Sequence, residues 1–148
     1  MKKGIKILAT FFGLGYLPLV PGTWASLAAL TLAWFFHETL IWQVVGFSLI
    51  GLLICKPAED AFGSKDPGAF VLDEVAGMAL SLLWLPKNLV LFVIAFILFR
   101  ALDILKPGPI GKIQASRTPM SIMWDDLLAG VFVNVFLQII VRGAGVFK

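Results

Sequence analysis

The stretch FILFRALDILKPGPI, residues 96–110, begins as an apolar run and then places Arg100, Asp103 and Lys106 three residues apart before two prolines. Residues at this spacing share one face of a helix, and proline ends a helix that the preceding residues form. A charged side chain costs roughly 2.5 to 3.5 kcal/mol at the centre of a membrane helix and less near its ends, so such residues usually pair or serve a function. The stretch therefore predicts a membrane-embedded helix that ends in a charged face at the bilayer surface.

The rest of the chain is equally apolar. Of its 148 residues, 59% are hydrophobic and 14% are charged, whereas soluble domains are roughly 45 to 50% apolar. We predict an all-α fold, a polytopic membrane helical bundle that forms one domain over residues 1–148, with about five membrane-embedded helices. The five apolar segments cover residues 24–36, 40–55, 71–85, 89–105 and 122–141.

The N-terminal apolar stretch, residues 5–20, is interrupted by Gly13, Gly15 and Pro18. Such breaks favour a re-entrant or interfacial segment over a signal peptide. The sequence LVPGTWASLAAL then marks a helix start, with Thr23 as the predicted N-cap and Ser26 as the third helical residue. Free backbone amides at this helix end would also suit an anion, so capping and ligand binding both remain open for Thr23.

The alternation of five helices across the membrane sorts the acidic residues. Eight of the nine fall on one side, together with most of the lysines and arginines, and only Glu38 falls on the other. Because cytoplasmic segments carry the excess of Lys and Arg, the acid-rich side is predicted to be cytoplasmic. The eight acids are Glu59, Asp60, Asp66, Asp73, Glu74, Asp103, Asp125 and Asp126.

Two adjacent carboxylate pairs repeat one pattern, in VLDEVAGM and in MWDDLLAGV. Each pair is predicted to open a helix, and a glycine one turn deeper lets neighbouring helix backbones approach closely. Helix N-termini attract acids, which would account for one acid per helix but hardly for two adjacent acids twice. The pairs are Asp73-Glu74 with Gly77, and Asp125-Asp126 with Gly130.

Four clustered carboxylates repel one another unless a cation lies between them. Hard oxygen ligands of this kind suit Mg²⁺, or Mn²⁺ as a substitute, better than zinc. The alternative is a purely structural set of ion pairs with Arg100, Lys106 and Arg117. A planar guanidinium and a compact ammonium also suit phosphate oxygens.

Several function classes are excluded. The basic residues are scattered and no nucleic-acid-binding module is present. No phosphate-binding loop of the Gly-x-x-x-x-Gly-Lys type occurs, which leaves nucleotide hydrolysis unsupported. With only Cys55 and His37 available, thiol, phosphohistidine and Ser-His chemistry are also excluded. Metal-assisted chemistry on a phosphate near the bilayer surface remains.

Four motifs in one order resemble those of the bacterial phosphatidylglycerophosphatase A family. They span most of the chain, and their shared order is far more specific than any one of them. The motifs are LPLVPGTWASLAAL, KDPGAFVLDEVAGM, FRALDILKPGPI and MSIMWDDLLAGV.

The resemblance implies a Mg²⁺-dependent enzyme of the bacterial inner membrane that removes the terminal phosphate of phosphatidylglycerophosphate and acts in phospholipid biosynthesis. Its partners would be this substrate and the bilayer lipids, with a cytoplasmic active site. By motif position, the expected metal ligands are Asp73, Glu74, Asp125 and Asp126; the catalytic residues are Arg100, Asp103 and Lys106; the substrate-binding residues are Thr23, Ser26 and Asp66. Arg117, which lies just before the fourth motif, is expected to bind substrate as well.

Asp103 has the most open role, since it could be a metal ligand, a general base or a nucleophile that forms an aspartyl-phosphate. Two other classes of function use the same acids. A small ion or proton transporter would use them as a relay, and a membrane scaffold would use them for assembly alone.

Overall fold

The computed structural model describes residues 2–143, and within them all regular secondary structure is helical. The prediction of an all-α fold is confirmed. The single domain predicted for residues 1–148 stays a prediction, and its ends, residue 1 and residues 144–148, lie outside the described residues. The helices are α1 (Lys2–Ala9), α2 (Pro21–Phe35), α3 (Leu40–Phe62), α4 (Leu72–Leu82), α5 (Leu89–Leu105), α6 (Pro109–Ala115) and α7 (Ser121–Gly143), with 3₁₀ turns at Leu14–Tyr16 and His37–Thr39.

All five predicted apolar segments form helices, namely α2, α3, α4, α5 and α7. Their number as membrane spans is not confirmed. Within residues 2–143, two helical stretches, His37–Phe62 and α7, are long and apolar enough to cross a membrane by length and composition. At 1.5 Å per residue, the 11 residues of α4 extend about 16 Å, which is half of a ~30 Å hydrocarbon core.

Short α4 forms the centre of the bundle. It packs against α2, α3, α5 and α7, and eight of its 11 residues are buried. A Cβ atom added to Gly77 would lie 2.6 Å from the carbonyl oxygen of Asp126, and one added to Gly130 would lie 2.5 Å from the carbonyl oxygen of Gly77. The close helix approach predicted from these glycines is therefore confirmed at the crossing of α4 and α7.

The outer surface of the bundle is apolar. Large apolar side chains are exposed on the outside of the long helices, including Leu53 with 75% of its surface exposed and Ile139 with 67%. Soluble monomers rarely expose extended apolar patches of this kind. The surface is that of a membrane protein.

The start of α2 differs from the prediction. The helix begins at Pro21, its N-cap is Val20, and no side chain caps it. Proline is favoured at the first helical position because its φ angle is already helical. The predicted N-cap Thr23 is thus the third helical residue, and Ser26 is the sixth, with its hydroxyl donating to the carbonyl of Gly22 at 2.8 Å.

The N-terminal segment is partly regular. α1 packs against α3, and the Ala9 carbonyl accepts the amide of Val71 at 2.9 Å. After a 3₁₀ turn, the chain reaches the start of α2. Whether this segment lies in the membrane interface stays a prediction.

Candidate active site

Three carboxylates converge where α4 crosses α7. Asp73 and Glu74 come from the first turn of α4, and Asp126 comes from α7. One oxygen from each lies within 4.8 Å of the other two. Asp126 is 1% exposed, and neither of its carboxylate oxygens has a hydrogen-bond partner among the described residues; the same holds for Glu74 Oε2.

The two acidic pairs have the same local geometry but different positions in their helices. The first carboxylate of each pair accepts the backbone N–H of the second, at 3.0 Å for Asp73 and 3.1 Å for Asp125. α7 begins at Ser121, so its pair lies a full turn inside the helix, and the prediction that this pair opens the helix is wrong. Attraction to a helix N-terminus therefore accounts for Asp73-Glu74 only.

Asp125 is not part of the carboxylate cluster. Its Oδ2 lies 2.5 Å from Nζ of Lys106, whereas it was predicted to be a metal ligand with the other three. The same ammonium group lies 3.4 Å from Asp103 Oδ1 and 3.8 Å from Asp126 Oδ1. Lys106 thus connects the carboxylate cluster to the end of α5.

The charged face at the end of α5 is present as the spacing predicted. Arg100 Nη1 lies 2.5 Å from Asp103 Oδ2 and 4.0 Å from Glu74 Oε1. Asp103 is buried between the two cations, with one oxygen facing Arg100 and the other facing Lys106. Of the three residues predicted to be catalytic, Asp103 therefore contacts both of the others beside the three clustered acids.

The position of Lys106 depends on an unusual backbone conformation. Lys106 ends α5 in the left-handed region, with φ of 43°, and its amide donates to the carbonyl of Leu102 at 2.8 Å. A Cβ atom on Gly111 would lie 2.6 Å from the Lys106 carbonyl oxygen. The turn between α5 and α6 is therefore packed too tightly for a side chain at position 111, and this packing holds Lys106 in place.

The electrostatics follow from this arrangement. Burial, and then repulsion by Glu74 and Asp126, raises the pKa of Asp73 well above its usual range. Burial on its own would lower the pKa of Lys106, but attraction by Asp126, Asp125 and Asp103 outweighs it and raises the pKa. Lys106 is therefore a cation at physiological pH.

The start of α2 also borders the site. A Cβ atom on Gly22 would overlap Glu74 Oε1 and would lie 3.1 Å from Arg100 Nη1. Sequence reasoning missed Gly22, although the Pro-Gly step before an apolar helix was its signal. Thr23 and Ser26 lie in the same part of α2, but the only side-chain bond that Ser26 donates is to its own helix.

Two predicted substrate-binding residues lie elsewhere. Asp66 and Arg117 line a polar cavity of about 490 Å³, and neither belongs to the carboxylate cluster. Glu59, which was not predicted to be a site residue, is 7% exposed in this cavity, and its Oε1 accepts the amide of Asp66 at 3.4 Å. Ser121, the first residue of α7, also lines this cavity, and the same helix carries Asp126.

Comparison with known proteins identifies the family. A family model described as phosphatidylglycerophosphatase A matches residues 7–141. A phosphatidylglycerophosphatase A of Escherichia coli (strain K12) is 39% identical over 132 residues, which are 84% of this chain and 76% of that protein. The Haemophilus influenzae protein of the same name is 35% identical over 136 residues, 86% of this chain and 83% of that protein.

A third relative has a different name. A Bacteroides thetaiotaomicron protein, provisionally named a phosphatidylinositol-3-phosphatase, is 32% identical over 145 residues, 90% of this chain and 91% of that protein. No solved structure gives a significant match. The family match over most of the chain agrees with the four sequence motifs, and the chain belongs to the phosphatidylglycerophosphatase A family of phosphoric monoester hydrolases.

Proposed function

We propose that the protein is a Mg²⁺-dependent lipid phosphatase that hydrolyses phosphatidylglycerophosphate to phosphatidylglycerol and phosphate. The observation that carries the proposal is the cluster of Asp73, Glu74 and Asp126 beside the two cations Arg100 and Lys106. Both oxygens of Asp126 and Oε2 of Glu74 are buried in it without a hydrogen-bond partner among the described residues. The two relatives named phosphatidylglycerophosphatase A support the choice of substrate.

The carboxylate cluster fits a magnesium ion. Leaving buried carboxylate oxygens unpartnered is costly, and a divalent cation removes that cost. Mg²⁺ usually takes one or two protein carboxylates and completes its shell with water and phosphate oxygens. Asp73, Glu74 and Asp126 supply enough oxygens for this, with Mn²⁺ as a substitute of similar preference. When bound, the ion polarises the phosphoryl oxygens and lowers the pKa of a coordinated water.

The cations complete the charge balance of the phosphate. Arg100 has a free Nε, buried and unpartnered among the described residues, so its guanidinium retains a donor for a phosphate oxygen. Lys106 brings a second positive charge within 4 Å of the carboxylate cluster. Donors that are already oriented stabilise the charge of a phosphoryl transition state without reorganising. Arg100 and Lys106 therefore bind and neutralise the phosphomonoester.

Asp103 acts by holding these cations. Each of its oxygens already faces a cation, at 2.5 Å and 3.4 Å, which leaves it poorly placed to attack phosphorus. Asp103 is therefore a positioning residue, and water is the nucleophile. The stereochemical course at a chiral, isotopically labelled terminal phosphate distinguishes the two routes, because one attack by water inverts the configuration at phosphorus, whereas two successive displacements through an aspartyl-phosphate retain it.

The polar cavity that reaches the first turn of α7 at Ser121 binds the rest of the headgroup. The substrate carries a phosphodiester and a glycerol in addition to its terminal phosphate, and these groups need donors and cations. Lys65 and Arg117 supply the cations, and Asp66 accepts from a hydroxyl group. Thr23 and Ser26 follow Gly22 in α2, which borders Glu74 and Arg100 at Gly22, and they contribute to the substrate site from that helix.

The site faces the cytoplasm in a multi-pass protein of the bacterial inner membrane. Both acidic pairs and the charged end of α5 belong to the segments that the sequence assigns to one side of the membrane, the side with most of the acids, lysines and arginines. Positive residues favour the cytoplasmic side. A phosphate-bearing headgroup lies at the same depth as these helix ends, so the substrate does not have to leave the bilayer.

The deciding experiment is phosphate release from phosphatidylglycerophosphate in detergent micelles, with and without Mg²⁺. Wild type is expected to need the metal, and Asp73→Asn is expected to lose at least about 100-fold in kcat/KM. Asp60→Asn is the matched control, because Asp60 only pairs with Lys56 on the exposed surface. Metal-independent release, or an unimpaired Asp73→Asn, contradicts the proposal. Metal or proton flux through sealed vesicles without lipid phosphate would instead favour a transporter.

A further inference from the structure

A long groove runs along the outside of the bundle between α3 and α7. Both helices pack against α4, and Gly51 of α3 lies against the side chain of Met123 on α7. The space left between them has a volume of about 720 Å³, which is within the range of ligand-binding pockets. Its walls are two straight helical stripes: Val44, Ser48 and Leu52 on α3, and Trp124, Leu128 and Val131 on α7.

The length of this groove matches one leaflet of the membrane. On α7 it extends from Ser121 to Val131, and ten residues of helix rise about 15 Å. Half of a ~30 Å hydrocarbon core is also about 15 Å. The groove therefore has the length over which one acyl chain runs from the headgroup region to the middle of the bilayer.

The two ends of the groove differ in polarity. The deep end is lined by Val44 and Val131, whereas Lys112, Ser116 and Thr118 line the other end. Within residues 2–143, Lys112 has no carboxylate within 4.0 Å, so its charge is available to an anionic lipid headgroup. An apolar slot with a cation at headgroup depth complements a phospholipid, which joins an acyl chain to a negative phosphate.

The polar end of the groove adjoins the candidate active site. Thr118 and Ser121 line both the groove and the polar cavity that contains Asp66 and Arg117. Ser121 lies one helical turn before Asp125 on α7. A lipid whose acyl chain occupies the groove would thus have its glycerol backbone beside the cavity that receives the headgroup.

We propose that this groove binds one acyl chain of the lipid substrate and thereby sets its depth and orientation at the carboxylate cluster. The proposal rests on the proposed function. Binding energy from this remote part of the substrate positions the phosphate for reaction. A soluble molecule with the same headgroup but no acyl chain lacks this contribution and is a poorer substrate.

The first test does not depend on turnover. Phosphatidylglycerophosphate with a diazirine near the middle of one acyl chain is incorporated into vesicles of phosphatidylethanolamine and phosphatidylglycerol with the full-length protein, without Mg²⁺. After illumination, labelled peptides are mapped by mass spectrometry. We expect labelling at Leu128 and Val131 to exceed that at the outward-facing Ile139. Equal labelling at groove and outward positions overturns the proposal.

Two neighbouring leucines provide a matched pair of variants. Leu52 lines the groove, whereas Leu53 points outward with 75% of its surface exposed. Leu52→Trp fills the groove and is expected to abolish the excess labelling and to raise KM about tenfold more for the long-chain substrate than for a dibutyryl analogue. Leu53→Trp is expected to match wild type in both respects. If Leu52→Trp leaves labelling and KM unchanged, the groove is not an acyl site.

The remaining outcomes are also decisive. Val131→Trp fills the opposite wall and is expected to repeat the result if Leu52→Trp fails to fold. If α3 and α7 instead bind a second copy of the chain, Leu52→Trp converts a dimer to a monomer in detergent and the lipid label is absent from the groove. If wild type releases no phosphate from the lipid but the groove is still labelled, the proposed function fails and the acyl site stands.

Discussion

Adding a single methyl group at the crossing of α4 and α7 is expected to disable the site. In Gly77→Ala, the new Cβ would lie 2.6 Å from the carbonyl oxygen of Asp126 and 2.7 Å from the ring of Phe99. Ordinary contact begins at 3.4 Å, so the two helices must separate by about 0.8 Å. The displacement acts directly on the cluster, because Asp73 and Glu74 belong to α4 and Asp126 belongs to α7.

The size of the effect follows from this displacement. Mg²⁺ requires ligands at about 2.0 to 2.1 Å in near-octahedral geometry, and a misplacement of about 1 Å can cost a factor of about 100 in rate. We expect Gly77→Ala to lose about 10-fold to 100-fold in kcat/KM and to need more Mg²⁺ for half-maximal activity. Overpacking is also expected to lower the free energy of unfolding by about 1 to 3 kcal/mol.

The assay is phosphate release from phosphatidylglycerophosphate micelles over a range of Mg²⁺ concentrations. Gly46→Ala is the control, because this glycine is also within a helix but a Cβ atom there meets nothing within 4 Å. The control is expected to keep wild-type activity and to gain up to about 1 kcal/mol in stability from better helix propensity.

The Mg²⁺ titration separates displaced ligands from unfolding. If the crossing sets the carboxylate geometry, excess Mg²⁺ restores part of the activity of folded Gly77→Ala, whereas it does not restore unfolded protein. Wild-type activity and wild-type Mg²⁺ dependence in Gly77→Ala would refute the argument that this close approach determines the metal site.

Three further substitutions test other parts of the molecule. Asp126→Asn is expected to abolish Mg²⁺-dependent protection against thermal unfolding in a fluorescence melt, because it removes a charge from the cluster; protection equal to wild type would contradict this. Arg100→Lys is expected to lower kcat about 10-fold to 100-fold in the micelle assay, because a planar guanidinium can contact Asp103 and a phosphate with different N–H groups, whereas a single ammonium group cannot. An unchanged kcat would show that Arg100 does not contact both groups at once. Asn134→Leu is expected to destabilise the protein by about 1 to 3 kcal/mol in denaturant titration, because the amide donates to the Leu83 carbonyl at 2.7 Å; unaltered stability would mean that water replaces the bond.

Local features of the fold were predictable from the sequence. Apolar segments bounded by proline, glycine and charge indicated all five of the main helices, and the spacing of Arg100, Asp103 and Lys106 indicated their shared face. Gly77 and Gly130, each one turn after an acidic pair, indicated the close crossing of α4 and α7. These properties depend on residues within one or two helical turns, where sequence periodicity determines geometry.

Membrane depth was less predictable. Hydropathy does not distinguish a helix that faces lipid from one surrounded by other helices, since both are apolar. α4 reads as a membrane segment, but it is 11 residues long and most of it is buried by four other helices. The prediction of which residues are cytoplasmic assumed five helices that cross the membrane. Two helices in the described residues, α3 and α7, are long enough to do so.

The separation of Asp125 from Asp126 is the part of the site that sequence reasoning could not predict. Adjacent residues in a helix point about 100° apart, so Asp125 and Asp126, which lie inside α7, face different neighbours. Which one faces α4 depends on the rotation of α7, and that rotation is set by Gly130 packing against the Gly77 backbone. With this contact in place, Asp126 meets Asp73 and Glu74, and Asp125 turns to Lys106 at the end of α5. Under the proposed function, this arrangement gives the acidic pair two roles: Asp126 is left unpartnered for a metal, and Asp125 holds the lysine that compensates the charge of the phosphate.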